Sequence, residues 1–411
     1  MTLPDFERSL DKYAKLIVDK GANVQKGQTV ILYIAIDQVK LAHKIVSAAY
    51  QRGAVEVVVE WQDTFNQKEF LKHTSETRLA EQPKYVQARA DELMAKHATR
   101  ISVVSGAPDA LKDVDPKRLS KYQASMGQAK ASIRRATTNN DISWLVVAAA
   151  DPEWAMQVFP DLSVEKATDR LWEEIFKTTR VDQPDPELAW DKQIKLLSEK
   201  SDWLNQQQFK ALKYKSSKTD ITIGLPEDHV WEAAGSTDLA GNFFIPNMPT
   251  EEVFTAPDNR HIDGIISSTL PLSYAGTLIE EITLTFKDGQ IINATADTGE
   301  EILQHLIETD AGTHSLGEVS LVPQKSPIAE SGIIFLNTLF DENASDHIAI
   351  GAAYPFNIKG GTKLSDEELS ARGINLSQAH VDFMVGSSDM RVDGITADGK
   401  KVPIMKQGNW V

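Results

Sequence analysis

Residues 29–61 restrict the fold more than any other part of the sequence. A β-rich run, residues 29–36, is followed by a helical stretch from about Val39 to Arg52 that Gly53 closes, and then by a second β-rich run, residues 54–61. A strand, a helix and another strand in this order predict a parallel pair joined by a right-handed crossover. Two further apolar runs, residues 101–105 and 142–149, each lie between helical segments. Ahead of them Phe6, Leu10, Tyr13, Ala14 and Ile17 share one helical face, which Gly21 ends. The first half is expected to be an α/β domain with a parallel sheet. Trp154, Trp172, Trp190 and Trp203 fall on predicted helices and are read as packing residues.

After a linker at residues 181–187 and a long helix ending near Gln208, the pattern changes. Residues 211–216 and 219–225 read as short strands, and residues 279–286 and 291–296 as a hairpin closed by Asp288-Gly289. Thr298 and Glu301 have capping-box spacing ahead of a helix to about Glu308. Residues 316–322, 332–339 and 379–385 are further strand-like runs. The expected architecture is an α/β N-terminal domain with a parallel sheet over residues 1–210. A strand-rich α+β C-terminal catalytic domain, a curved sheet or partial barrel, covers residues 211–411.

Charge separates the halves. The 411 residues carry a net charge of −16, yet residues 221–411 hold 10 basic and 28 acidic side chains. That half repels nucleic acid and attracts metal cations and cationic substrates. The basic stretch 117–135, with Lys117, Arg118, Lys121, Lys130, Arg134 and Arg135, reads as the exposed face of a helix started by Asp115-Pro116. The segment from Gly21 to Gly27 is neither a dinucleotide fingerprint nor a P-loop. With no cysteine, disulfides, thiolate zinc sites, iron–sulfur clusters and cysteine nucleophiles are excluded. No apolar run approaches the ~18 residues of a membrane span, and Met-Thr-Leu-Pro-Asp-Phe-Glu-Arg lacks the layout of a secretory leader. The expected setting is the cytoplasm, with no membrane or nucleic-acid partner.

Chemistry must then come from carboxylates and imidazoles, the ligands of zinc, cobalt or manganese where thiolates are lacking. Six of nine histidines lie in the acidic half, without a His-Glu-x-x-His helix or a Gly-x-Ser-x-Gly elbow. In the run from Ala379 to Gly386, His380 and Asp382 would share one face of a strand while Val381 and Phe383 pack in the core. Such a pair chelates a metal or simply hydrogen-bonds. In the stretch from Phe340 to Tyr354, Glu342 and His347 flank a turn after the strand at 332–339, and Tyr354 can donate to a developing oxyanion. Alternation places Glu318 on the face of Leu316 and Ser320, as an apolar-face carboxylate or an exposed one.

The string Asn247-Met-Pro-Thr-Glu-Glu-Val-Phe-Thr-Ala-Pro-Asp258 resembles the signature of the aminopeptidase T family of metallopeptidases, also known from aminopeptidase S and its relatives. Gly317-Glu318, Asp346-His347-Ile-Ala-Ile-Gly-Ala-Ala-Tyr354 and His380-Val-Asp382-Phe-Met-Val-Gly386 match further family segments in order. With the α/β half, the resemblance covers nearly the whole chain. It implies a two-metal exopeptidase acting on peptides with a free N-terminus, usually a homodimer, using zinc, cobalt or magnesium. It implies Glu252, Glu318, Glu342, His347, His380 and Asp382 as metal ligands. Glu318, Glu342 and Tyr354 are implied as catalytic groups around a metal-activated water. Two other readings stay open: another two-metal amidohydrolase, and a non-catalytic metal- or peptide-binding protein of the same fold. A phosphoesterase is disfavoured because residues 221–411 offer only Arg260, Arg372 and Arg391 as arginine clamps.

Overall fold

The computed structural model describes residues 3–274 and 277–411; Met1 and Thr2, part of the octet read for a leader, lie outside the described residues. The chain forms two compact units, Met1–Asp191 with Gly235–Pro249, and Lys192–Ala234 with Thr250–Val411. The expected division was at 210/211; the units divide instead within the long helix, and residues 235–249 return to the first unit.

In the first unit β1 (Thr29–Ala35), β2 (Glu56–Gln62), β3 (Thr99–Val104) and β4 (Trp144–Ala148) form a parallel sheet in the order β2-β1-β3-β4. The order reverses direction between β1 and β3, which makes that junction a topological switch point. Helix α1 (Phe6–Leu16) packs Phe6 and Tyr13 against Trp172 and Phe176, and the Tyr13 hydroxyl donates to the Ala148 carbonyl at 2.8 Å. Trp154, Trp172 and Trp190 are buried, as packing residues should be. Helix α2 (Val39–Arg52) is the crossover between β1 and β2, and Gly53 ends it at φ 102°. Helix α3 (Pro116–Ala129) starts where Asp115 accepts from the Lys117 N–H at 2.8 Å. The basic stretch breaks at Lys130, and a separate helix α4 (Ala131–Thr138) follows.

The second unit is all antiparallel in its two larger sheets. One has eight strands, among them Ala211–Lys215, Asp220–Gly224, Ile262–Ser267, Thr283–Lys287, Gln290–Thr295, Arg391–Ile395 and Lys401–Lys406. Its hairpin turns at Asp288 (φ 48°) and Gly289 (φ 82°), the positive φ pair that Asp-Gly supplies. The other sheet has the order β9-β8-β7-β6-β5, where β5 is Glu232–Ala233, β6 Val253–Thr255, β7 Leu316–Leu321, β8 His347–Gly351 and β9 His380–Met384. Leu212, Tyr214, Ile221 and Ile223 of the first sheet share a core with Val319, Leu321, Ile348, Ile350 and Phe383 of the second. The strand-rich domain expected as a curved sheet or partial barrel is thus two sheets over one core.

Two local expectations fail for identifiable reasons. Residues 332–339 are not a strand: the Asp341 carboxylate accepts the N–H groups of Phe335 and Asn337 at 2.7 and 3.0 Å, doing the work of a ladder, and Asn337 caps the short helix Thr338–Asp341. The Thr298/Glu301 box is not made, because Gly299, left-handed at φ 72°, is the residue that precedes the helix Glu300–Ile307.

Glu232 on β5 supplies a stability prediction. Burial raises its carboxyl from the usual 4.5 to about 7. The folded chain therefore holds a proton there that the unfolded chain releases, so stability is lost as pH rises from about 4.5 to about 7. Glu232→Gln, neutral throughout, should gain about 3 kcal/mol above that window and almost nothing below it. Urea denaturation of both proteins on either side of the window checks this; an equal gain at both pH values would show that ionisation is not the cause.

Candidate metal centre

The site is one face of the five-stranded sheet. Registers pair Ser320 with His347, Glu318 with Ala349, Ala349 with Asp382, and Gly351 with His380. Directly opposed residues, and residues two apart on a strand, share a face. Glu318, Ser320, His347, His380 and Asp382 therefore project together. Phe254 opposes Ser320 on the same face, and Glu252 stands two residues before it. The reverse face carries Val253, Leu316, Val319, Leu321, Ile348, Ile350, Val381 and Phe383 into the core.

Glu318 is where simple alternation misleads. Leu316 pairs with Ile350 but Glu318 with Ala349, so Gly317 is an extra residue in β7. The bulge puts Leu316 on the core face and Glu318 on the site face; the two do not share one, as the unbroken period predicted. Only glycine fits there, since a Cβ would stand 2.1 Å from the Ala352 carbonyl oxygen.

Two groups of ligand atoms result, each within 4.8 Å of one another: Glu252, Glu318 and His347; and Glu318, His380 and Asp382. Glu318 belongs to both. His347 Nε2 lies 3.2 Å from Glu252 Oε2 and 3.4 Å from Glu318 Oε1. His380 Nε2 lies 3.6 Å from Glu318 Oε2 and 3.4 Å from Asp382 Oδ1. The opposite ring nitrogens are held by backbone: His347 Nδ1 sits 3.2 Å from the Ser345 carbonyl and His380 Nδ1 2.7 Å from that of Ala352. Each carbonyl can only accept, so each Nδ1 carries a hydrogen, and it is Nε2 that faces the carboxylates and would give up its proton to a metal ion. This is how metal-ligating histidines are oriented.

Electrostatics agree. Burial raises the Glu318 carboxyl to about 6 even though His347 draws it down. Burial would lower both imidazoles, but Glu252 and Glu318 hold His347 well above its usual value, and Asp382 with Glu318 brings His380 to about 10. Asp382 is lowered, its burial outweighed by the histidines. Asp382 Oδ1 is buried without a hydrogen bond. Without a cation these carboxylates keep both imidazoles protonated, and a divalent ion would take the place of the two Nε2 protons in balancing the buried negative charge. The residues fit divalent metal.

Glu342, in the 3-10 turn Glu342–Ala344, belongs to neither group. Burial and the charges of Glu252 and Asp382 push its carboxyl well above the ordinary range. The Tyr354 ring lies 5.1 Å from that of His380 and stacks on Phe356 at 5.1 Å. Burial and the surrounding carboxylates raise its hydroxyl well above 10, which keeps it a donor. Every residue singled out in the sequence is thus in or beside this cluster.

Supporting residues went unnoticed in the sequence. Ser320 donates to Glu252 Oε2 at 2.9 Å, and its position two residues after Glu318 could have revealed it. Asn343 accepts the Glu251 N–H at 2.7 Å, and Gln193 donates to Glu251 Oε2 at 2.7 Å; nothing local signals either contact.

The profile of the family described as thermophilic metalloprotease (M29) matches residues 6–410. Aminopeptidase PepS of Streptococcus thermophilus is 51% identical over all of both chains. Aminopeptidase AmpS of Bacillus subtilis (strain 168) is 49% identical over 99% of this chain and 100% of its own. Among solved structures, wild-type AmpT from Thermus thermophilus superposes with a TM-score of 0.93 at 38% identity, covering 99% of this chain and 100% of that one.

Proposed function

Because the chain belongs to the thermophilic metalloprotease (M29) family and is a metalloaminopeptidase, we propose that it removes N-terminal residues from peptides at a site for two divalent ions. The observation carrying this reading is the pair of three-ligand groups joined through Glu318. Glu252 and His347 would hold one ion, His380 and Asp382 the other, and Glu318 would bridge them. Zinc and cobalt suit this mixed nitrogen and oxygen set, and magnesium its carboxylates. When bound, such ions lower the pKa of water and polarise a scissile carbonyl.

The chain's own groups complete the chemistry. Glu342, outside both ligand groups, takes the proton of the attacking water and returns it to the leaving amine. Tyr354, kept protonated, donates to the oxyanion that develops on the carbonyl. The acidic surroundings attract the protonated α-amino group of the substrate. The family resemblance supports a homodimer, and the cysteine-free composition suits the cytoplasm; among the described residues no helix is long and apolar enough to cross a membrane.

Substrate polarity tests the reading. A free-amine peptide should be cleaved far faster than its N-acetylated twin, whereas amidating the C-terminus should matter little. Mass spectrometry of timed digests distinguishes them. Equal rates on the acetylated and free peptides would exclude an aminopeptidase while leaving a metal-dependent amidohydrolase standing.

A further inference from the structure

A second site lies in the first unit. A cavity of about 670 Å³ opens between the sheet and helices α3 and α4, lined from the sheet by Tyr33, Arg100, Ser102 and Ser105 and from the helices by Tyr122, Met126, Lys130 and Arg134. It runs along β1 and β3, the strands flanking the switch point, and reaches Val104 and Ser105 at the carboxyl end of β3. Parallel sheets bind ligands in the crevice beyond the carboxyl ends of the strands at such a point; this cavity reaches that end at Ser105 and extends along the sheet face toward Arg100 near the start of β3. The size is that of a small-molecule pocket.

Its charge is unusual for this chain. Arg100 stands on a sheet face and Lys130 at the break between the two helices; both are half-buried, and burial lowers the pKa of each. Neither has a carboxylate within ion-pair reach among the described residues. Glu60, the acid that acts on Lys130 from further away, is engaged by Arg89 Nε at 2.7 Å. Arg100 meets only neutral oxygens, donating through Nε to Ser102 Oγ at 3.1 Å and through Nη1 to Thr137 Oγ1 at 3.3 Å. Lys130 Nζ lies 5.0 Å from the centre of the Tyr33 ring, and the Arg100 guanidinium 5.9 Å from it. Two cations withdrawn from water and pressed on one aromatic ring repel each other; an anion between them would offset both costs. Ser102 Oγ accepts from Arg100 and so has its own hydrogen free to donate. Tyr33, Tyr122, Met126 and Ile133 supply apolar surface beside the charges.

We propose that this cavity binds a small organic oxyanion, a carboxylate or phosphomonoester on an aromatic or apolar body, with Arg100, Lys130 and the Ser102 hydroxyl holding the anionic group. The sequence reading placed Lys130 on a solvated helix face. The helix break at that residue is what turns it inward.

Calorimetric titration of the full-length protein tests this with phenyl phosphate, phenylacetate, inorganic phosphate and benzyl alcohol. At least one of the two aromatic anions should bind once per chain with a submillimolar Kd, more tightly than inorganic phosphate, and benzyl alcohol should not bind. Preference between phenyl phosphate and phenylacetate identifies the anionic group. Lys130→Gln and Arg100→Gln should each weaken binding by about tenfold or more, whereas Lys117→Gln, an exposed basic residue on α3, should leave it unchanged. If Arg100→Gln does not fold, as judged by its melting curve, Lys130→Gln carries the comparison. The proposal is overturned if neither aromatic anion saturates in the wild type, if Lys130→Gln binds as the wild type does, or if Lys117→Gln loses as much as Lys130→Gln.

Discussion

Exhaustive chelation should abolish peptide hydrolysis, and stoichiometric zinc or cobalt should restore it. No other group in the cluster can activate a water at neutral pH: beside the carboxylates and two imidazoles there is only a phenol held protonated, which can donate to an oxyanion but supplies no nucleophile. The effect should be the whole activity, since a metal-dependent hydrolase loses its electrophile and its source of activated water together. The metal-free protein should also melt at a lower temperature, because Glu252, Glu318 and Asp382 then face one another with only histidine protons between them. Elemental analysis must accompany the assay. Full turnover by protein shown to contain no metal would refute the reading.

The second large effect is expected from Glu342→Gln. Glutamine keeps the shape of the side chain but cannot accept and return a proton. The loss of kcat should be about 10²- to 10⁴-fold, with metal content close to that of the wild type because Glu342 lies outside both ligand groups. Glu318→Gln should behave differently, losing metal as well as rate, since Glu318 is common to both groups. If Glu342→Gln retains kcat within about tenfold, the proton passes to another carboxylate, and Glu318 is then the candidate. Should Glu342→Gln instead lose metal in proportion to rate, Glu342 is a ligand.

Local signals accounted for much of the molecule. The strand–helix–strand pattern at residues 29–61 returned as β1, α2 and β2 in parallel register. Asp288-Gly289 made the hairpin that its backbone preferences favour. His380 and Asp382 share a face because β9 is regular over five residues, where the period of two holds. The run at 332–339 failed because its apolar residues, Phe335 and Leu339 among them, are buried while its N–H groups at Phe335 and Asn337 bond to the Asp341 carboxylate, not to a neighbouring strand. Burial is visible in composition; the partner is not.

The residue types that form the candidate metal centre, their order, and the family to which the chain belongs are set by the linear sequence, since carboxylates and imidazoles on separate strands keep their spacing whatever the strands do. Which of them meet was decided by pairing between segments as far apart as Glu252 and Asp382. Alternation orders residues within a strand but says nothing of where a bulge interrupts it, and at Gly317 the contact that permits the bulge is with Ala352, 35 residues away. Lys130 shows the same division. Its charge is written in the sequence, but its direction depends on a break between α3 and α4 and on Tyr33 in a strand nearly a hundred residues earlier. Side-chain direction is a property of the packed neighbours, and those are brought together only when the chain has folded.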